Sequence, residues 1–167
     1  MFILIVGVGR VGSSLARTTL RDGHDVSCLD EDAEAHARLE IGLERSWEDL
    51  GGQFTVGTGL EVEALKAAGI ERADVFVAST NGDNTNIIIA QIAQRKFEVP
   101  NVIVRILDPL RAEWYERQGM QTVCPTRVAI EMLERQVGQA AKNMLPDAPR
   151  QGGVDAEDAD DEEDVGA

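Results

Sequence analysis

Three glycines that follow an apolar segment are the strongest constraint on how this chain can fold. Residues 2–6 are all apolar, and Gly7, Gly9 and Gly12 follow them in the spacing G-x-G-x-x-G. A helix-like segment and a second apolar strand come next, and Asp30 ends that strand. In such a unit the glycines allow a tight turn, a close approach of the backbone to a pyrophosphate, and close packing of helix on strand. The stretch therefore predicts a nucleotide site in which Asp30 binds ribose hydroxyls. The alternative is a domain that keeps the glycines for packing and binds nothing.

Strand-like and helix-like segments alternate along the chain, which predicts an α/β fold. The expected architecture is a Rossmann-like doubly wound parallel sheet of order 3-2-1-4-5-6, with a long C-terminal helix and a disordered acidic tail. The predicted strands cover residues 2–6, 26–29, 53–56, 73–78, 102–106 and 121–124. The predicted helices cover residues 11–22, 31–41, 60–68, 83–96, 109–119 and 125–145. We expect a nucleotide-binding domain over residues 1–125, a helix over 126–146 and the tail over 147–167.

The charge of the chain is strongly negative but uneven. The net charge is -14, and residues 151–167 hold eight of the 30 acidic residues and no basic residue. An acidic chain without a basic stripe argues against nucleic-acid binding. No apolar stretch approaches the roughly 20 residues that a membrane-spanning helix needs, and no basic segment precedes the first strand. We therefore expect a cytoplasmic protein with no signal peptide and no direct membrane insertion.

Cysteine and histidine give no sign of a disulfide or a metal site. Cys28 and Cys124 fall in predicted strands that lie four places apart in the sheet, roughly 19 Å, which is too far for a disulfide. We expect both to be buried and reduced. His24 lies in a predicted turn and His36 lies alone on a predicted helix, so no metal ligand is expected.

Polar residues are concentrated where predicted strands end. A run of hydroxyl and amide side chains, residues 79–86, follows the fourth strand at the point where ligands bind in doubly wound sheets. Arg105 near the end of the fifth strand needs an anionic partner, either the nearby Asp108 or a ligand phosphate. The turn at residues 57–59 either approaches a ligand or is only a tight connection.

Taken together, these residues resemble a known family, the RCK N-terminal (KTN) domains of the Trk/Ktr-type potassium transport regulators. The resemblance covers residues 1–135, and within this family the chain is most similar to TrkA-like regulators of the actinobacterial type. It depends on the glycine motif of residues 7–12, Asp30, and the segments at residues 63–74, 79–86 and 105–109.

The resemblance implies a regulatory, non-enzymatic subunit that gates a potassium transporter or channel in response to NAD(H) or ATP/ADP. It implies a cytoplasmic homodimer or larger ring, peripheral at the inner face of the cell membrane through a membrane-embedded transporter. The residues that it implies for the ligand are Gly7, Val8, Gly9, Arg10, Val11, Gly12, Asp30, Thr80, Asn81 and Arg105. Among them the glycine loop and Arg105 would hold phosphates, Asp30 a ribose, and Thr80 and Asn81 the rim of the site.

The chain departs from the family pattern at two places. Thr58 stands where an acid usually follows the glycine at the end of the third strand, which leaves the contacts to adenosine open. The chain also ends in a helix and an acidic tail where many members continue into a C-terminal RCK domain. An NAD-dependent oxidoreductase, or a fragment of one, is the rival interpretation, but no Tyr-x-x-x-Lys pair is present because Gly119 follows Tyr115 by four residues. An adaptor that has lost ligand binding is a third possibility.

Overall fold

A parallel sheet is the centre of the computed structural model, which describes residues 1–144. Within these residues, six strands pair in the order β3-β2-β1-β4-β5-β6, which confirms the predicted topology. The strands are β1 (Phe2–Val6), β2 (Asp25–Asp30), β3 (Gln53–Val56), β4 (Val75–Ala78), β5 (Asn101–Arg105) and β6 (Gln121–Val123). All neighbouring strands are parallel, and the register places Val6 of β1 beside both Leu29 and Ala78. The carboxyl ends of β1, β2 and β4 therefore meet at one edge of the sheet.

The connections between the strands are mostly helical. The α-helices are α1 (Arg10–Arg21), α2 (His36–Leu39), α3 (Val62–Ala67), α4 (Asp83–Arg95), α5 (Pro109–Arg117) and α6 (Pro125–Met144). Two short 3-10 helices, Ala33–Ala35 and Ile70–Arg72, precede α2 and β4. The chain divides into a first unit, Met1–Glu131, and a second that begins at Met132. No helix within residues 1–144 is both long enough and apolar enough to cross a membrane.

The core lies on both faces of the sheet, as expected for parallel strands. Every residue of β1 is buried, and its side chains alternate between two apolar clusters. Phe2, Leu4 and Val6 pack against the cluster that includes α4, whereas Ile3 and Ile5 pack against the cluster that includes α1 and α2. This burial makes β1 the fixed reference for the loops that leave its carboxyl end.

The segment between β2 and β3 differs from its prediction. A single helix was predicted over residues 31–41, but the structure has the 3-10 helix Ala33–Ala35 followed by one turn of α2. Asp32 caps the 3-10 helix, because its carboxylate accepts the Glu34 N–H at 2.9 Å. Ile41, the last residue of the predicted helix, lies beyond α2 and is 62% exposed. Trp47 lies in the connection between α2 and β3 and is fully buried in the core.

Both cysteines are free and buried, as predicted. Cys124 lies one residue beyond β6 rather than within it, because the strand ends at Val123. Burial, with a smaller contribution from the charge of Asp30, raises the pKa of the Cys28 thiol. The predicted tail and the end of the predicted C-terminal helix lie outside the described residues.

Candidate functional site

The carboxyl edge of the sheet contains a cavity of about 360 Å³. Its lining comes from the turns that follow the first four strands and from α2 and α4. The lining residues are Val6, Gly7, Gly9, Leu29, Asp30, Glu31, Asp32, Arg38, Gly57, Thr58, Gly59, Leu60, Ser79, Thr80, Asn81 and Thr85. The cavity lies where the strand order reverses between β1 and β4, which is the usual ligand position in doubly wound sheets.

The glycine loop is built around two positions that no side chain could occupy. Gly7 has a φ of +95°, and a Cβ atom there would lie 2.5 Å from the Thr80 nitrogen. A Cβ atom at Gly12 would lie 1.9 Å from the Gly7 carbonyl oxygen. Because Gly12 is in the first turn of α1, its missing side chain lets the helix approach the end of β1 this closely. These contacts confirm the close-packing role that the sequence predicted for Gly12.

The start of α1 is open towards the cavity. Gly9 is the residue that precedes the helix, and it has no side chain to cap the first turn. A Cβ atom at Gly9 would have no neighbour within 4 Å, so space rather than packing surrounds this position. Free N–H groups and the helix dipole at such an end favour an anion. The loop can therefore accept a phosphate group that approaches from the cavity.

Asp30 is held in place by two backbone N–H groups. Its Oδ2 atom accepts the Val8 N–H at 2.6 Å, and its Oδ1 atom accepts the Asp32 N–H at 3.0 Å. The carboxylate thus joins the glycine loop to the turn after β2 and faces the cavity. Each carboxylate oxygen can accept further hydrogen bonds, so this group can receive a pair of hydroxyl donors such as those of a ribose.

Arg38 of α2 is a cavity residue that the sequence reasoning missed. Its Nε donates to the Val8 carbonyl at 2.8 Å, and its Nη2 donates to Asp32 at 3.2 Å. Among the described residues that line the cavity, Arg38 is the one cation beside three carboxylates, Asp30, Glu31 and Asp32. No motif marked it, because a lone arginine eight residues after Asp30 has no distinctive spacing.

Thr80 is held by a fully buried amide, Asn86 of α4. The Asn86 Oδ1 accepts the Thr80 N–H at 2.9 Å and the Thr80 hydroxyl at 2.7 Å. Its Nδ2 donates to the carbonyls of Thr80, at 3.1 Å, and Arg105, at 2.9 Å. Ser79 completes the turn, since its hydroxyl donates to the Gly7 carbonyl at 2.8 Å. One side chain thereby fixes the ends of β4 and β5 relative to each other.

Arg105 does not line the cavity. Its Nη2 donates to the Thr80 carbonyl, while its Nε is buried without a hydrogen-bond partner among the described residues. Asp108, the protein partner that the sequence suggested, instead caps α5 by accepting the N–H groups of Leu110 and Arg111. The guanidinium is thus bonded to the Thr80 carbonyl, and no hydrogen bond or salt bridge joins it to Asp108 among the described residues.

The turn after β3 packs tightly and also borders the cavity. A Cβ atom at Gly59 would lie 2.9 Å from the Val6 side chain, and one at Gly57 would lie 2.9 Å from the Ala64 side chain. Both glycines line the cavity together with Thr58. The turn is therefore both a tight connection and part of the cavity wall.

The predicted site residues fall into two groups. The cavity is lined by Gly7, Gly9, Asp30, Thr80 and Asn81, which the structure brings together from three strand ends. The predicted residues that do not line it are Val8, Arg10, Val11, Gly12 and Arg105. Of these, Val8 binds Asp30 through its N–H and Gly12 packs behind the loop. The side chains of Arg10 and Val11 are exposed.

Comparison with known proteins assigns the sequence to a family. Residues 3–126 match the TrkA-N domain. The Trk system potassium uptake protein TrkA of Streptomyces coelicolor is 41% identical over 148 residues, which are 88% of this chain and 63% of that protein. A TrkA homolog from Methanothermobacter thermautotrophicus is 32% identical over 136 residues, 81% of this chain and 59% of the homolog. The chain thus spans about 60% of the length of these relatives.

Solved structures share the fold at low sequence identity. The Kef C-terminal domain of Shewanella denitrificans in its AMP-bound form superposes with a TM-score of 0.69 at 19% identity, covering 86% of this chain and 84% of that one. The GsuK channel bound to NAD gives a TM-score of 0.61 at 20% identity, covering 76% of this chain and 22% of that one. The match to the TrkA-N domain covers most of the chain, including the glycine loop, Asp30 and the strands of the sheet. This chain therefore belongs to the TrkA-N domain family.

Proposed function

We propose that this chain binds NAD(H) or ATP/ADP in the cavity and that the bound nucleotide regulates a potassium uptake transporter or channel. The observation that carries the proposal is the position of Asp30. Its carboxylate, held by the Val8 and Asp32 N–H groups, faces the same cavity as the uncapped start of α1. A ribose acceptor beside an anion site matches the two polar parts of a nucleotide.

The charge around the cavity favours nucleotides without a 2′-phosphate. Asp30, Glu31 and Asp32 place three carboxylates along one wall, and the hydrogen bonds of Arg38 are already directed to Val8 and Asp32. A 2′-phosphate would therefore meet negative charge where a ribose hydroxyl meets an acceptor. We expect NAD and adenosine nucleotides to bind more tightly than NADP.

The ligand roles are proposed residue by residue. Gly7, Gly9 and the backbone of residues 10–12 bind phosphates, Asp30 binds a ribose, and Thr80 and Asn81 form the opposite rim. Support for these roles comes from the cavity lining and from the hydrogen bonds of Asp30 and Thr80. Val8 acts through its N–H, which orients the Asp30 carboxylate.

Regulation of potassium uptake is proposed from the family and from its relatives' names. The Streptomyces coelicolor relative is a Trk system potassium uptake protein, and GsuK is a channel that has been solved with NAD. We propose that the chain acts in the cytoplasm as a homodimer or larger ring, at the inner face of the cell membrane, bound to a membrane-embedded transporter. A nucleotide that binds one arrangement of this assembly better than another would shift the transporter between states.

An enzymatic role receives no support from the lining of the cavity. Among the described residues that line it there is no histidine, lysine, tyrosine or cysteine, and its three carboxylates, Asp30, Glu31 and Asp32, lie along the wall proposed for the ribose. The rival oxidoreductase would need a group that exchanges a proton with substrate beside the nicotinamide. We therefore propose that the chain is not an enzyme, and hydride transfer from NADH to any keto acid would contradict this.

A nucleotide panel with one loop variant tests the binding proposal. Thermal shifts and titration calorimetry would compare NAD, NADH, ATP, ADP, AMP and NADP on the wild type and on Gly9→Ala. A ligand at 100 times its dissociation constant raises the free energy of unfolding by about 2.7 kcal/mol. Because Gly9 has an extended backbone and an added Cβ would meet nothing, Gly9→Ala should fold normally and lose this stabilisation. No shift with any nucleotide would overturn the proposal.

Arg105 remains a predicted phosphate ligand and has its own test. The guanidinium would have to leave the Thr80 carbonyl to reach a phosphate in the cavity. If it does so, Arg105→Gln weakens binding of ATP and ADP more than binding of adenosine. Equal weakening for all three ligands would instead indicate that Arg105 only supports the Thr80 turn.

The regulatory part of the proposal is tested in cells that depend on one Trk-type transporter. Loss of this chain should reduce growth at low external potassium, and re-expression of the wild type should restore it. Gly9→Ala should fail to restore growth although the protein accumulates normally. Full restoration by Gly9→Ala, with nucleotide binding lost in vitro, would separate the two parts and contradict regulation by the nucleotide.

A further inference from the structure

A histidine and two glutamates form a compact cluster outside the nucleotide cavity. One nitrogen of His36 and one carboxylate oxygen each of Glu40 and Glu48 all lie within 4.8 Å of one another. The His36 Nε2 is 2.7 Å from the Glu48 Oε1. His36 begins α2, and Glu40 follows its last residue with helical backbone angles, so the four-residue spacing places both side chains on one face. Glu48 joins them from the segment that leads to β3.

Each of the three side chains is attached beside a residue anchored in the core. Ala35 precedes His36, Leu39 precedes Glu40 and Trp47 precedes Glu48, and all three of these neighbours are fully buried in the same apolar cluster. Three anchor points in one packed cluster fix the backbone positions of the donor groups. The backbone that carries the three side chains is therefore anchored in the core.

Further contacts position the His36 ring and the Glu48 backbone. The His36 ring packs edge-on against Phe54 of β3, with ring centroids 5.4 Å apart. The Glu48 carbonyl accepts the Gly51 N–H at 2.9 Å, which closes a turn around the residue. Glu40 and Glu48 are themselves exposed, so their side chains can rotate towards a common centre.

The cluster holds more negative than positive charge. Two carboxylates lie near one imidazole, and within residues 1–144 neither forms a salt bridge with a lysine or arginine. Arg38 lies between them in the sequence, but its guanidinium is directed to Val8 and Asp32. Like charges this close raise each other's energy, and a bound cation would relieve the repulsion.

We propose that His36, Glu40 and Glu48 form a divalent metal site that takes Zn²⁺ or a similar borderline transition metal. One imidazole nitrogen and two carboxylate oxygens suit Zn²⁺, whereas Mg²⁺ and Ca²⁺ take oxygen ligands. Ligand atoms around a tetrahedral Zn²⁺ lie about 3.3 Å apart, so rotation of the exposed glutamates brings the three donors to this spacing. The metal takes the place of the hydrogen bond between His36 and Glu48, and water completes the coordination.

The histidine count of the chain gives this proposal a matched control. The sequence has two histidines, and His24 lies in the turn after α1. Zn²⁺ binding would be measured on the full chain by calorimetry and by competition with a chromophoric chelator, for the wild type, His36→Gln, Glu48→Gln and His24→Gln. Every variant keeps the acidic residues 151–167, so weak binding to them is the same throughout.

The expected result is one Zn²⁺ per chain in the wild type and in His24→Gln, unaffected by millimolar Mg²⁺. His36→Gln and Glu48→Gln should each weaken binding at least about 10-fold, since each removes one donor of three. Co²⁺ should give visible absorption bands in the wild type that His36→Gln abolishes. Circular dichroism without metal shows whether each variant is folded. No stoichiometric Zn²⁺ in the wild type, or equal Zn²⁺ affinity in the wild type and folded His36→Gln, would overturn the proposal.

Discussion

Two borders of the proposed nucleotide cavity are built by different physical means. The glycine edge, residues 7–12, depends on atoms that are absent, because a Cβ at Gly7 or Gly12 would fall within 2.5 Å of backbone atoms. At the amide edge Thr80 lines the cavity and the buried Asn86 holds it from behind through paired polar atoms, which also reach the Arg105 carbonyl. There a single buried amide makes four hydrogen bonds to the ends of β4 and β5.

The difference shows what each edge tolerates. At the glycine edge an added side chain would overlap with backbone atoms, so any such substitution lowers the free energy of unfolding whatever its chemistry. At the amide edge the stability comes from buried donors and acceptors that are paired. A side chain of similar size but different polarity would leave some of them unpaired and destabilise the fold. Substitutions at the two edges should therefore differ in kind as well as in size.

Gly12→Ala should have the largest effect on stability. Its methyl group would lie 1.9 Å from the Gly7 carbonyl oxygen, so α1 or the end of β1 must shift. We expect a loss of about 3 kcal/mol or more in the free energy of unfolding, measured by urea denaturation followed by circular dichroism.

Gly138→Ala on α6 is the control for this substitution. An added methyl group there meets nothing within 4 Å, and alanine is favoured over glycine inside helices. It should leave stability unchanged or slightly higher. A Gly12→Ala protein as stable as the wild type would contradict the steric account of the glycine edge.

Asn86→Leu tests the amide edge at nearly constant volume. Leucine leaves the Thr80 N–H and two carbonyl oxygens without their buried partner, so we expect a loss of about 2–4 kcal/mol. Asn84→Leu is the control on the same helix, because Asn84 is exposed and accepts only the Arg111 side chain among its described contacts. A control loss as large as that of Asn86→Leu would mean that leucine, and not the lost hydrogen bonds, destabilises the protein.

The two edges also differ in how far the sequence predicted them. The glycine edge could be predicted because the spacing of glycines after an apolar strand shows directly where the backbone leaves no room for a side chain. The strand order and Asp30 followed from the same pattern, and the structure confirms the strand order. For the amide edge, the sequence marked the polar run of residues 79–86 but gave no reason to choose Asn86 within it.

Other features were missed because their causes lie in tertiary contacts. Trp47 stands in a polar segment without periodicity, yet it is fully buried. Arg38 reaches Val8, 30 residues away, and the helix in which it was expected proved shorter. His36 was assigned no role because Glu48, its nearest acid in space, is 12 residues distant in the chain. The role of a single polar residue becomes recognisable only when the folded core has brought its distant contact residues together.

Asp30→Asn tests the group that joins the glycine loop to the turn after β2. The amide nitrogen of asparagine cannot accept the Val8 or Asp32 N–H, and its oxygen is a weaker acceptor for ribose hydroxyls. We expect affinity for the nucleotide identified in the panel to fall about 10–100-fold by calorimetry. Asp22→Asn, at the exposed end of α1, should bind normally. Unchanged binding by Asp30→Asn would remove the proposed ribose contact.

The pair Glu116–Arg127 lies outside both edges. It shows how much an exposed polar contact contributes to the stability of this fold. Arg127 Nη2 donates to Glu116 at 2.7 Å, and both side chains are more than a third exposed. Hydrogen bonds from Arg127 and then Thr122 lower the pKa of Glu116 below its ordinary 4.5. A carboxyl group with a lowered pKa stabilises the fold at neutral pH, and this contribution is lost as the pH falls from about 4.5 through the folded-state pKa.

Arg127→Gln should therefore give the smallest effect, a slight fall in Tm at pH 7 that disappears in strong acid. The pKa of Arg127 is itself raised, mainly by its hydrogen bond to Glu116, so the arginine stays charged throughout this range. Thermal unfolding of the wild type, Arg127→Gln, Glu116→Gln and the double variant at pH 7 and pH 3 would isolate the coupling between the pair. A coupling at pH 7 as large as the Asn86→Leu loss would break the comparison, because exposed and buried polar contacts would then stabilise this fold equally.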